Sequence, residues 1–82
     1  MKKFTSINSP VSVTALGFGR DMRTYPRRME FQGITYDFID AGLRATLRNG
    51  ERATSIFTMT DGACDFRLKS EGSSWTLLGM AQ

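Results

Sequence analysis

The sequence predicts an all-β fold, a small antiparallel meander of six or seven strands that curls into a barrel or a two-layer roll. The main signal is a set of three glycine turns, at Gln32-Gly33, Asn49-Gly50 and Asp61-Gly62, each between runs of alternating apolar and polar residues. Such dipeptides between alternating runs are typical of β-hairpins. A sheet this small protects its edges best by curling, which favours a barrel or roll over an open sheet.

Length and composition indicate a single domain, residues 1–82. A domain of this size buries only about 60 to 65 % of the surface that its unfolded chain exposes. Hydrophobic residues make up 40 % of the chain and charged residues 23 %, as in ordinary globular domains. The chain has one cysteine, Cys64, and no histidine, so an intramolecular disulfide and the usual zinc and iron sites are excluded. We therefore expect no cofactor.

Residues 1–10 are predicted to form a flexible N-terminal arm. Met1-Lys2-Lys3 and Phe4 are similar to the start of a secretion signal, but the polar residues that follow interrupt any continuous apolar region. No run approaches the ~20 apolar residues of a membrane-spanning helix. These features predict a cytoplasmic protein that does not enter membranes.

The first strand and the first hairpin follow this arm. Residues 11–18 alternate β-branched and small residues before Gly19 and are predicted to form a strand. A two-residue loop at Gln32-Gly33 gives the next hairpin a register with one apolar face. The cross-strand pairs on that face are Met29 with Tyr36 and Phe31 with Ile34. On the other face Arg28 lies opposite Asp37, and this opposite-charge pair supports the same register.

The Asp61-Gly62 turn predicts another hairpin, closed by a two-residue type I′ loop in which aspartate tolerates a positive φ. Its predicted cross-strand pairs are Met59 with Cys64, Phe57 with Phe66 and Ser55 with Leu68. A four-residue loop around Gly72 then leads to a final strand over residues 74–80. This loop sets Leu68 against Trp75 and Phe66 against Leu77.

The Asn49-Gly50 turn does not fit the same simple loop. A two-residue loop would place Leu43 and Leu47 on the face of the following strand that carries Ile56, away from Phe57. A three-residue loop, with Gly50 in a left-handed conformation and a bulge, instead aligns both leucines with Phe57. Burial therefore favours a bulged turn.

Residues 40–49 also admit a helical interpretation, which would make the fold α+β with one short helix. Asp40 could act as the N-cap and Gly50 as the residue that ends the helix. Gly42 and Thr46 disfavour a helix in so short a segment. The strand interpretation is preferred.

The predicted interior collects the apolar residues at inward-facing positions. These residues are Met29, Phe31, Ile34, Tyr36, Phe38, Leu43, Leu47, Phe57, Met59, Phe66, Leu68, Trp75 and Leu77. The pattern leaves the charged residues and most threonines on the opposite face.

The residue types that catalysis requires are scarce. The eight carboxylates are accompanied by no histidine, and nothing near Cys64 in the sequence would activate its thiol. Gly17-Phe18-Gly19 lacks the further glycine and the lysine of a phosphate-binding loop. We expect a protein that is not an enzyme.

The remaining feature is a basic surface, since arginine outnumbers lysine eight to three and the net charge is +3. One group of candidate binding residues lies in the segment 20–28, which is predicted to be a loop, and loops often carry function: Arg23, Tyr25, Arg27 and Arg28. The other lies on the predicted outer sheet face: Arg44, Arg48, Arg52, Arg67 and Lys69. Guanidinium groups bind carboxylate or phosphate through two parallel hydrogen bonds, although arginine and threonine are also common on ordinary exposed sheet faces.

Three functions are compatible with this surface. The favoured one is a small non-catalytic binding module, an adaptor or inhibitor, that contacts an acidic protein partner through its arginines. The first alternative is a nucleic-acid-binding small β-barrel that uses the same residues against phosphate. The second is a structural homo-oligomer in which another copy covers Ile39, Ile56 and Leu78, three apolar residues at outward positions.

Overall fold

The computed structural model describes residues 3–20 and 22–82, which contain eight β-strands and no helix. The strands are β1 (Thr5–Pro10), β2 (Ser12–Phe18), β3 (Thr24–Phe31), β4 (Ile34–Asp37), β5 (Leu43–Asn49), β6 (Arg52–Thr60), β7 (Asp65–Glu71) and β8 (Ser74–Ala81). The all-β prediction is confirmed. The alternative helix at 40–49 is wrong, because this segment contains β5.

The strands form two antiparallel sheets that pack as the layers of a roll. The five-stranded sheet has the order β1-β8-β7-β6-β5, and the three-stranded sheet has the order β2-β3-β4. The two sheets do not join into a closed barrel. Of the two predicted architectures the structure therefore has the roll, with eight strands instead of the six or seven expected.

The additional strand is β1, which lies in the predicted arm. The arm prediction is wrong for residues 5–10, and Met1 and Lys2 lie outside the described residues. β1 pairs with β8, Thr5 lying opposite Met80. The polar composition of this segment hid the strand from sequence analysis, because an edge strand pairs through backbone groups. In β1 only Ile7 and Ser9 are even partly buried.

The β3–β4 hairpin has the predicted register. Phe31 lies opposite Ile34 and Arg28 lies opposite Asp37 across the Gln32-Gly33 loop. The side chains of Arg28 and Asp37 form an ion pair, with Nε donating to Oδ1 at 2.6 Å. The apolar face and the opposite-charge pair both indicate this register, so the local sequence was sufficient to predict it.

The β6–β7 hairpin keeps the predicted facing but has a different register. Its loop comprises residues 61–64, so Met59 lies opposite Phe66 rather than Cys64. The Oδ1 atom of Asp61 accepts hydrogen bonds from the backbone N–H groups of Ala63 at 2.9 Å and Cys64 at 2.7 Å. These bonds stabilise a longer loop than the predicted type I′ turn. Because the register differs by two residues, every side chain still faces the predicted side.

The β7–β8 hairpin has a shorter loop than predicted. Glu71 lies opposite Ser74 across Gly72-Ser73, and Leu68 lies opposite Leu77. Gly72 has a φ of 61°, which suits the first position of a tight turn. A bulge with Leu78 as the extra residue, between the pairs Leu68–Leu77 and Arg67–Gly79, then shifts the register of the two strands by one residue.

The β5–β6 hairpin contradicts the predicted bulged turn. Its two-residue loop is Gly50-Glu51, with Asn49 opposite Arg52 and no irregularity in the ladder. Gly50 has a φ of 67°, and its lack of a side chain makes that conformation accessible at the first loop position. Leu43 and Leu47 consequently lie on the face away from Phe57, exposed to 74 % and 62 %.

Burial did not determine the register of β5 because every residue of this strand is exposed. The three-stranded sheet covers β6, β7 and β8, which contain the buried residues of the five-stranded sheet, and leaves β5 open. We call the covered face, which carries Phe57 and Phe66, the inner face. The opposite face, which carries Ile56, is the outer face.

Phe66 lies at the centre of the core between the sheets. Its ring centroid is 5.0 Å from that of Tyr36 and 5.3 Å from that of Phe38. Since Phe66 belongs to β7 while Tyr36 and Phe38 lie in and just after β4, these contacts connect the layers.

Most of the predicted interior is confirmed. The buried cluster consists of Met29, Phe38, Phe57, Met59, Phe66, Leu68 and Leu77. The partly buried Phe31, Tyr36 and Trp75 pack against it. The prediction is wrong for Leu43, Leu47 and Ile34, which are exposed. Ile34 directly follows the β3–β4 loop, beyond the cover of the other sheet.

Candidate functional site

Arg44 and Arg48 lie on the inner-face side of β5. Arg44 is opposite Phe57, and Arg48 is opposite Ala53. Directly opposite residues of an antiparallel pair point to the same side of the sheet. The predicted placement of both arginines on the outer face is therefore wrong. The two-residue loop that leaves Leu43 and Leu47 exposed also turns both arginines to the inner-face side.

The other predicted sheet residues remain on the outer face. Arg67 lies opposite Thr58 and Lys69 opposite Ile56, and Arg52 shares their side at the start of β6. The guanidinium of Arg67 packs 4.2 Å from the centre of the Phe4 ring. The two sheet faces thus divide the five basic residues that the sequence had grouped together.

The candidate residues before and within the first hairpin are mostly strand residues rather than loop residues. Arg23 precedes β3, while Tyr25, Arg27 and Arg28 lie within it. Tyr25 is half-buried, with its ring over Gly17 of β2. Arg28 is occupied by its ion pair with Asp37, and Arg27 is the extra residue of a bulge between β2 and β3.

Arg44 extends from β5 toward the three-stranded sheet. Its Nη1 atom donates to the backbone oxygen of Thr24 at 3.5 Å, and its Nη2 atom donates to Oγ of Ser55 at 3.4 Å. Both distances lie at the long end of the hydrogen-bond range, so these bonds are weak. The guanidinium also lies 5.2 Å from the centre of the Phe57 ring. These contacts orient the group while leaving donor capacity for a ligand.

A small cleft brings together residues from both predicted groups. It has a volume of about 90 Å³. Its lining consists of Gly19, Arg23, Thr24, Tyr25, Ala41, Arg44 and Phe57. We call it the arginine cleft. Phe57 is buried as predicted, and the sequence did not indicate that it would also border a cleft. The only feature of the sequence that pointed to the inward facing of Arg44 was the possibility of a two-residue loop between β5 and β6, which the sequence analysis did not favour.

The open side of β5 beside this cleft is strongly basic. β5 itself contains no acidic residue. Within residues 3–20 and 22–82, neither Arg44 nor Arg48 forms an ion pair. Two guanidinium groups on this exposed strand are therefore available to an external carboxylate or phosphate.

The carboxylates and apolar residues elsewhere have simpler roles. Asp40 accepts a hydrogen bond from the backbone N–H of Gly42 at 2.9 Å, which stabilises the turn into β5. Of the three residues in the hypothetical oligomer patch, Ile39 is exposed, whereas Ile56 and Leu78 are half-buried. The patch is therefore less exposed than the sequence predicted.

Metal-ligating side chains do not gather in groups of three or more anywhere in the described part of the chain. The same residues include no helix that is long and apolar enough to span a membrane. No family model matches the chain, and it has no significant match among curated proteins or solved structures.

Proposed function

We propose that this protein is a small non-catalytic binding module, an adaptor or inhibitor, that contacts an acidic protein partner through arginines. The arginines that carry the proposal are Arg44 and Arg48 on β5 and Arg23 at the edge of the arginine cleft. The main support is that Arg44 and Arg48 share an open strand face and have no ion-pair partner among the described residues.

The chemistry of the cleft suits carboxylates presented by a protein. A guanidinium offers a planar fork that binds a carboxylate through two hydrogen bonds. The half-buried Tyr25 supplies apolar surface beside Arg44, and aromatic residues and arginine dominate the energetics of protein interfaces. The contact of Arg44 with Phe57 holds the guanidinium in place, which lowers the entropy lost on binding.

The remaining candidate residues contribute less to this proposal. Arg28 is already neutralised by Asp37, and Arg67 packs on Phe4 at the outer face. Arg27, Arg52 and Lys69 add positive charge at a distance. We expect these residues to raise the rate of association rather than the specificity of binding.

The test compares two double variants that lose the same charge. Arg44→Ala with Arg48→Ala removes the proposed site, and Arg27→Ala with Arg52→Ala is the matched control. Binding of fluorescent poly-glutamate is measured by anisotropy at low and at physiological salt. We expect the first variant to lose at least about 10-fold in affinity, equivalent to roughly 1.4 kcal/mol, and the control to lose much less. Equal losses would show that net charge alone attracts the probe and would overturn the proposal.

A nucleic-acid partner is the second candidate, on the strength of one observation. Phe18 is 71 % exposed at the end of β2, immediately before the turn that carries Arg20 and Arg23. An exposed aromatic ring beside arginines is what base stacking on a single strand requires. Tight binding of single-stranded oligonucleotides, lost steeply as salt rises and weakened by Phe18→Ala, would favour this candidate.

We further propose that the protein acts in the cytoplasm. The support is its single cysteine, Cys64, which is free and partly buried against the core. A small domain without disulfides is typical of reducing compartments.

A further inference from the structure

Four strands lie at the edges of the two sheets, and their free backbone groups are not equally protected. β1 contains an irregularity between Ser6 and Ser9 and ends at Pro10. β2 is interrupted by register shifts on both sides of Ala15, and β4 is only four residues long. Bulges, prolines and short length are the usual means by which edge strands avoid further pairing.

β5 lacks all three of these protections. It has seven residues, no proline and no irregularity in its ladder with β6. In the part of the chain that the structure describes, its second edge pairs with no strand. A regular, fully exposed edge of this length is suited to accept another strand.

The register of the hairpin identifies which backbone groups face this free edge. Asn49 and Arg52 close a two-residue loop, so they form a hydrogen-bonded pair. Hydrogen-bonded pairs alternate with pairs that are not hydrogen-bonded. Arg44, Thr46 and Arg48 therefore direct their N–H and C=O groups away from β6.

The side chains of β5 divide by chemistry between the two faces of the strand. Arg44 and Arg48 lie on the inner-face side, and Leu43 and Leu47 lie on the outer-face side. A strand added beside β5 would place alternate residues next to these two sets. A peptide that complements both sets therefore alternates acidic residues, which lie beside the arginines, with apolar residues, which lie beside the leucines.

We propose that β5 binds an extended acidic peptide by antiparallel strand addition. In this arrangement acidic residues lie opposite Arg44 and Arg48 and exchange backbone hydrogen bonds with them, while apolar residues cover Leu43 and Leu47. The inference rests on the proposed function and deepens it by naming the binding mode and the sequence pattern of the partner.

Charge disfavours a second copy of this chain as the occupant. Antiparallel pairing of two β5 strands centred on Thr46 would set Arg44 directly opposite Arg48 of the other copy, and like charges directly opposite are destabilising. A register shifted by two residues would set Arg44 opposite Thr46 of the other copy, but it pairs fewer residues of β5 and places no carboxylate opposite either arginine. An acidic strand pairs along the whole of β5 and places a carboxylate opposite each arginine.

The first experiment uses a capped peptide of alternating valine and glutamate, seven residues long to match β5. Two derivatives carry backbone N-methyl groups, one on the glutamates and one on the valines, with charge and side chains unchanged. Because the glutamates lie opposite Arg44 and Arg48, their N–H groups donate to β5, whereas the valine N–H groups point away. We expect glutamate methylation to weaken binding at least about 10-fold and valine methylation to leave it intact.

The second experiment changes the protein at the centre of the same edge. Thr46→Pro removes an outward N–H that β6 does not use, which an edge strand tolerates, and Thr46→Val is the control that keeps the N–H. We expect only the proline variant to lose affinity. Hydrogen exchange of the wild type should show peptide-dependent protection at the amides of Arg44, Thr46 and Arg48. If Thr46→Pro does not fold, the methylated peptides and hydrogen exchange still test whether the peptide adds as a strand beside β5.

The outcomes separate the binding mode from the proposed function. If both methylated peptides bind like the parent while Arg44→Ala with Arg48→Ala weakens all three, strand addition is overturned and the arginine site stands. If the parent peptide does not bind while poly-glutamate does, strand addition is again overturned. Loss of poly-glutamate binding by the matched control pair as much as by the site pair overturns the proposed function itself.

Discussion

The guanidinium carbon of Arg44 lies 5.2 Å from the centre of the Phe57 ring. This contact establishes that Arg44 faces the covered side of the five-stranded sheet, at the margin of the core. It also explains how an arginine on a fully exposed strand acquires a defined orientation. A cation over an aromatic ring at an exposed position contributes about 0.5 to 1 kcal/mol.

Removal of this contact should therefore be measurable as a change in stability. We expect Arg44→Ala to lower the free energy of unfolding by about 1 kcal/mol in urea titrations followed by circular dichroism. Arg48→Ala is the matched control, since it removes the same charge from the same face without a described contact. Its effect should stay within about 0.5 kcal/mol. Equal effects of the two substitutions would argue against a specific contact with Phe57.

The facing of β5 can be tested with a pair of leucines. Leu47 is mostly exposed on the outer face, while Leu68 of β7 is completely buried. Leu47→Ala should cost less than about 1 kcal/mol, whereas Leu68→Ala should cost about 2 to 5 kcal/mol because it leaves a cavity. Urea unfolding of both variants provides the measurement. A large cost at Leu47 would mean that β5 has the bulged register that the sequence favoured.

Alanine substitutions at two glycines with similar backbone conformations should differ in their cost to stability. Gly42 has a φ of 62° and Gly50 a φ of 67°, so an alanine at either position costs about 1 to 2 kcal/mol for the left-handed conformation. A β-carbon at Gly42 would also meet the backbone oxygen of Thr58, whereas Gly50 is surrounded by open space.

We therefore expect Gly42→Ala to be more destabilising than Gly50→Ala by about a further 1 to 3 kcal/mol, the usual cost of overpacking. Thermal and urea denaturation of the two variants measure the difference directly. Similar losses in both would show that the turn before β5 can move away from Thr58. Such mobility would also weaken the case for a rigid edge at β5.

The ion pair between Arg28 and Asp37 should contribute little in spite of its short distance. Both side chains are at least half exposed, at 50 % and 66 %. Exposed pairs are usually worth about 0 to 1 kcal/mol. A double-mutant cycle with Arg28→Ala and Asp37→Ala should give a coupling within this range that decreases when salt is raised to about 1 M. A larger coupling that persists in salt would contradict this assignment.

Local sequence was sufficient where two independent features demanded one register. In the β3–β4 hairpin the apolar face and the Arg28–Asp37 pair agree, and the prediction is confirmed. In the β6–β7 hairpin the side chain of Asp61 lengthens the loop, yet the two-residue change in register preserves the facing of Met59 and Phe66. The core could therefore be largely predicted even where pairing partners could not.

The arginine cleft could not be predicted, because its formation depends on the face that β5 presents. Leucine and arginine alternate along this strand, and a change of one residue in the adjoining loop reverses both sets. The predicted loop buried Leu43 and Leu47 and grouped Arg44 with Arg67. The observed loop exposes the leucines and brings Arg44 to Tyr25 and Thr24 instead.

The sequence by itself determined seven of the eight β-strands, the presence of the hairpins and the inward residues of the strands that form the core, because alternation and glycine turns act over a few residues. Only the tertiary structure decided that residues 5–10 form an eighth strand, that the strands divide into two sheets and that β5 is left uncovered. The three-stranded sheet is narrower than the sheet it covers, and its width is a property of the whole chain. Because β5 is left uncovered, burial of Leu43 and Leu47 could not select the bulged loop, and the two-residue loop Gly50-Glu51 determines the position of both arginines on that strand.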